Sequence, residues 1–87
     1  MGFKIEGTIL RKYTEEPGVV DVVIPNGVSD IWLFAFSNCE NIRSIVIPDS
    51  VTTIRDRAFA DCKNLEDITI PNNVTRIEKN PFSVTKL

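Results

Sequence analysis

The stretch IRSIVIPDSVTTIRDRAFADCKN, residues 42–64, decides the fold, because its pattern recurs on either side of it at a constant offset of 23 in the numbering. Ile24-Pro25, Ile47-Pro48 and Ile70-Pro71 share that offset. So do Val28, Val51 and Val74, then Ile31, Ile54 and Ile77, then Phe36, Phe59 and Phe82. Ala35 with Ala58, Cys39 with Cys62, and Asn41 with Asn64 extend the match between the first two copies. Three copies without a gap, 19–41, 42–64 and 65–87, follow a leading segment, 1–18. Repetition at such a period marks a chain that coils on itself.

Each copy has one internal grammar. Val22 and Ile24, Ile45 and Ile47, Ile68 and Ile70 alternate with Val23, Val46 and Thr69, and this period of two predicts a strand with one face inward. Proline ends that strand, since it has no N–H for a ladder and holds its own φ. Asn26-Gly27, Asp49-Ser50 and Asn72-Asn73 then turn the chain. A second β segment is expected at 28–31, 51–54 and 74–77. Beyond it, Arg55-Asp56-Arg57-Ala58-Phe59-Ala60-Asp61-Cys62 brings Ala58, Phe59 and Cys62 within helical reach of one another, which predicts one or two helical turns.

Ahead of the copies, Phe3, Ile5, Ile9 and Leu10 flank Glu6-Gly7 as a hairpin that covers the first copy. The expected fold is therefore an α/β solenoid, β-rich with short helical turns. Residues 1–18 form its hairpin cap and 19–87 its array, within one structural domain. One copy alone buries too little apolar surface to offset the ordering of its chain, so stability must belong to the stack.

Composition closes off most other functions. The 87 residues are 43% hydrophobic and 25% charged, as in an ordinary globular domain. Ten Lys and Arg against 12 Asp and Glu give a net charge of −2, the wrong sign for displacing counterions from phosphate, so no nucleic-acid partner is expected. There is no histidine, and no acidic pair, phosphate loop or calcium loop stands at the spacing such sites need. The chain is read as non-enzymatic, with no metal and no cofactor. Cys39 and Cys62 are too few for a disulfide framework or a zinc site; they read as buried column fillers, one above the other, at a spacing that also allows a disulfide. Met1-Gly2-Phe3-Lys4-Ile5-Glu6 lacks the apolar core of an export signal. The longest apolar run, 31–36, is far short of the roughly 20 residues that cross a bilayer, so no membrane insertion is expected.

The string I-x-I-P-x-x-V-x-x-I-x-x-x-A-F-x-x-C-x-N, carried in full by residues 45–64, resembles the BspA-like leucine-rich repeats of bacterial surface proteins and their protist relatives. The resemblance spans 19–87, and residues 3–13 look like the hairpin that precedes such arrays. It implies a right-handed leucine-rich-repeat solenoid used as a protein- or matrix-binding surface, secreted or on the cell exterior. The matched positions are core positions, so no site residue comes with it. The third copy departs from the string, with Pro81 for alanine, Thr85 for cysteine and Leu87 where the others end in asparagine. That end reads as a degenerate cap or as a cut at a repeat boundary.

Candidate contact residues come from departures and from the strand face. Trp32-Leu33-Phe34 stand where the other copies carry Arg55-Asp56-Arg57 and Glu78-Lys79-Asn80. Either they form a partner patch or they pack under the hairpin. Asp21, Val23, Ser44, Val46, Asp67 and Thr69 point outward from the first strands, as a ribbon for a partner or as a solvated sheet face. Ile70, Ile77 and Phe82, with Ile68, make an open apolar end for which self-association as a homo-oligomer is expected. Two functions follow: an interaction module for protein or extracellular matrix, or a structural piece of a longer array with no ligand of its own.

Overall fold

The structure, a computed structural model, describes residues 2–82. Thr85 and Leu87, on which the reading of a degenerate cap rests, lie outside the described residues. Alternating β-branched residues make the strands, and the period of the sequence sets how they pair. β1 (Phe3–Glu6) and β2 (Ile9–Tyr13) form the leading hairpin. β3 (Asp21–Val23), β5 (Ser44–Val46) and β7 (Asp67–Thr69) are the first strands of the three copies; β4 (Asp30–Ile31), β6 (Thr53–Ile54) and β8 (Arg76–Ile77) are the second. The first strands form one parallel sheet in the order β3-β5-β7, with Val22, Ile45 and Ile68 side by side. The second strands form another, Ile31 beside Ile54 beside Ile77, extended by β2 in parallel and by β1 antiparallel to it. In both sheets each residue pairs with its equivalent in the next copy, so one turn of the solenoid is one period of the sequence.

Identical letters therefore touch. Ile24 and Ile47, Val28 and Val51, Ile31 and Ile54, Ala35 and Ala58, and Cys39 and Cys62 are all buried, and no polar or charged side chain is buried among the described residues. Tyr13 extends the phenylalanine column to the hairpin. Phe3, Tyr13, Phe36, Phe59 and Phe82 succeed one another with ring centroids 5.0, 5.1, 5.3 and 5.4 Å apart. That step is close to the strand spacing of about 4.8 Å, so the sheets hold the rings at stacking distance.

Two expectations need correction. Ile5 does not cover the first copy; it is exposed, at the point where the hairpin register shifts between Lys4 and Ile5, and such a bulge re-aims a side chain. Leu10 and Tyr13, both buried, close the first coil in its place, with Phe3 packed against them.

Among the described residues no helix forms: the expected helical turns are absent, the expected α/β class does not hold, and the fold is an all-β solenoid. The reason is in the backbone. Phe34, Arg57 and Asn80, one period apart, adopt φ of 57°, 55° and 53°, and Asn38 and Asp61 adopt 61° and 57°. A left-handed residue every few positions prevents an α-helical ladder. The amides turn sideways instead: Phe36 N donates to Ala58 O at 2.7 Å, Asn38 N to Ala60 O at 2.9 Å and Phe59 N to Pro81 O at 2.8 Å. Short bonds to the third residue back, such as Ala35 N to Trp32 O at 3.1 Å, tighten each turn. The segment that sequence alone reads as helix is thus a third line of coil-to-coil hydrogen bonds.

The aromatic column sets an order of cost. Urea unfolding is expected to show Phe36→Ala losing about 3–5 kcal/mol, as for a buried aromatic truncated to a cavity. Phe82→Ala, at the half-buried end of the same column, is expected to lose clearly less.

Candidate protein-binding surface

Because strand residues alternate, Val22, Ile45 and Ile68 turn inward and their neighbours turn out. The outward side of β3-β5-β7 carries two columns in register: Asp21, Ser44 and Asp67, then Val23, Val46 and Thr69. Val23 is 66% exposed and Val46 42%, large values for adjacent apolar side chains on a rigid sheet. Beside them Ser44 Oγ donates to Asp21 Oδ1 at 2.7 Å. All six residues expected as a ribbon are brought together here.

Sequence reasoning misses the cleft next to it. Val20, Arg43 and Glu66, one residue before each strand, join Gly18, Val19, Asn41 and Asn64 around an open hollow of about 470 Å³. Arg43 Nη2 and Glu66 Oε2 meet at 3.1 Å across adjacent coils. The available signal is the asparagine column at 41 and 64, which by itself marks only the return to the next strand. Glu15 shapes the neighbouring turn by accepting from Glu40 N at 3.1 Å and Asn41 N at 2.8 Å.

Trp32, Leu33 and Phe34 are placed elsewhere, after β4 on the other sheet, and they differ in exposure. Trp32 is half-buried, with the guanidinium carbon of Arg11 4.9 Å and that of Arg55 5.5 Å from its ring centre. Arg55 in turn contacts Asp30 at 2.8 Å and Glu78 at 3.1 Å. Asp30, Arg55 and Glu78 bridge three successive coils, and the tryptophan is a rung of that ladder. Glu78 also accepts from Asp56 N at 3.0 Å; this bond first, and Arg55 after it, hold its carboxyl below the ordinary value. Leu33 and Phe34 are exposed. At the far end, Ile70 and Ile77 are exposed and Phe82 half-buried, brought together as the outer side of the third coil.

No three His, Cys, Asp or Glu side chains gather among the described residues in a way that holds a metal ion, and no described helix is long and apolar enough to cross a membrane. Cys39 and Cys62 are buried thiols without a disulfide. Cys62 Sγ donates to Phe36 O at 3.0 Å. Burial pushes the Cys39 thiol up to about 12 and the Cys62 thiol to about 11, against an ordinary 9.0. The folded chain thus keeps protons that the unfolded chain releases, so this contribution is complete below the ordinary thiol value and is lost as pH climbs through the folded ones. Urea midpoints are expected to fall between about pH 9 and about pH 12, and Cys39→Ala with Cys62→Ala is expected to flatten that fall.

The model of one protein family matches this chain: the BspA type leucine rich repeat region, of six copies, over residues 11–87. The match begins inside β2, ahead of the first full copy of the repeat. No curated protein and no solved structure matches the chain.

Proposed function

Because the chain belongs to the BspA-type leucine-rich-repeat family, we propose that it is a non-enzymatic protein-interaction module whose ribbon on β3-β5-β7 takes a protein or matrix ligand. The observation that carries this reading is the exposed pair Val23 and Val46, held rigidly beside the Asp21, Ser44 and Asp67 column. Exposed apolar side chains on a rigid sheet give up little conformational freedom on binding, and the neighbouring carboxylates favour a partner with basic side chains. The cleft at Val20, Arg43 and Glu66 widens the same surface. Secretion or display on a cell surface belongs to this reading through the family, as does the absence of catalysis.

Binding to a panel of extracellular matrix proteins, followed by surface plasmon resonance, tests the assignment. Val23→Glu with Val46→Glu is expected to weaken whichever binding is found at least tenfold, while Trp32→Ala leaves it within about twofold. No binding anywhere in the panel, or binding indifferent to the strand substitutions, contradicts the proposal.

A further inference from the structure

The first coil carries an apolar turn where the other coils carry a polar one. Ala35 N donates to Trp32 O at 3.1 Å, so Leu33 and Phe34 are the two central residues of a tight turn. Ala58 N donates likewise to Arg55 O at 3.3 Å, with Asp56 and Arg57 between them, and Lys79 and Asn80 hold the same places in the third coil. Phe34, Arg57 and Asn80 share one left-handed backbone, at φ of 57°, 55° and 53°. A turn favours Gly or Asn at such a position, so the turn itself does not call for phenylalanine. Nor does the core, since Leu33 is 41% exposed and Phe34 47%.

Beside this turn stands an unbalanced pair of charges. Phe3 and Tyr13 pair across the hairpin and turn their rings inward, so the next pair, Lys4 and Lys12, turns outward, and both are exposed. Like charges directly opposite each other on two strands repel. The carboxylates around them are committed to arginines: Glu6 to Arg11, Asp30 and Glu78 to Arg55, Asp56 to Arg57. Lys4 and Lys12 form no ion pair among the described residues. Lys12 Nζ donates instead to Phe34 O and to Ser37 Oγ, both at 3.4 Å, which ties the cationic pair to the apolar turn.

We infer that this side of the protein seats on the surface of an anionic lipid bilayer, with Lys4 and Lys12 among the headgroups and Leu33 and Phe34 dipping below them. Charge complementarity sets the sign of the occupant, and shape sets its kind. A turn tip with two adjacent apolar side chains suits a medium that parts around it, as the boundary between headgroups and acyl chains does; a protein partner would need a hollow already formed to receive it. Each lysine held near such a surface strengthens the attraction about fivefold. Asp21 and Asp67, which form no ion pair among the described residues, stand on the outward side of the other sheet. Val22 and Ile31 face one common core, so the outward sides of the two sheets look in different directions. The ribbon on β3-β5-β7 therefore stays clear of the bilayer, and the contact does not depend on what the ribbon binds.

Co-sedimentation of the whole chain with sucrose-loaded vesicles tests this. Binding is expected to vesicles of phosphatidylcholine with about 30% phosphatidylserine, and to fall at least tenfold with phosphatidylcholine alone or when salt rises from about 0.05 M to about 0.5 M. Lys12→Glu is expected to weaken it at least tenfold, and opposite Lys4 the new carboxylate leaves the hairpin intact. Leu33→Asp with Phe34→Arg gives the first coil the second coil's own turn at unchanged net charge; it is expected to weaken binding at least tenfold with an unchanged circular dichroism spectrum. Trp32, the single tryptophan and next to the turn, is expected to be quenched by vesicles whose lipids are brominated high in the acyl chain. No binding to the phosphatidylserine vesicles at low salt overturns the inference. Binding that survives either variant, or that leaves Trp32 unquenched, overturns it equally.

Discussion

Each coil in this protein is held by the coil beside it, and the governing constraint is register. A residue is covered by its equivalent one period away: Ile31 by Ile54, Phe36 by Phe59, Val22 by Ile45. A slip of one position in a strand turns its inward side chains to solvent, so the sheets tolerate no other alignment. The aromatic column imposes the same alignment independently, because rings at 5.1–5.4 Å stack only while the coils stay in step. Local sequence supplies strands and turns; long-range repetition supplies the partner that stabilises them.

The turn segments show how far this constraint reaches. Phe34 and Arg57 hold left-handed backbone, which costs non-glycine residues of the order of 1–2 kcal/mol each. Lateral bonds such as Phe36 N to Ala58 O offset that cost, and they form only when the same distortion recurs at the same place in the next coil. The backbone irregularity is therefore as periodic as the side chains. The charged ladder on the second sheet works alike, since Arg55 reaches Asp30 on one side and Glu78 on the other.

Much of this is legible in the residues. The period announces itself through Ile-Pro, Val and Phe positions, and the columns follow from stacking alone. The helix reading of 55–62 fails because helical propensity is a local quantity, whereas the amides there answer to a neighbouring coil one full period away. Nothing in the residues around Ile5 signals the bulge that turns it outward. The ribbon is readable from alternation, but the cleft at Val20, Arg43 and Glu66 is not, since it arises from three separate coils and a glycine at 18. Trp32 has the composition of an anchor; only the position of Arg11 and Arg55 over its ring shows its role in the ladder.

A surface built this way is rigid because the coils fix one another, which is what suits the outward strand face to holding a ligand without further ordering. The dependence on period can be tested directly by duplicating residues 42–64 in place, so that the chain gains one whole coil. Urea denaturation of that chain should give a higher midpoint and a steeper slope, since an added coil adds buried surface to one cooperative unit. Unchanged midpoint and slope, meaning that the extra residues hang off as a loop, would contradict the stacked architecture.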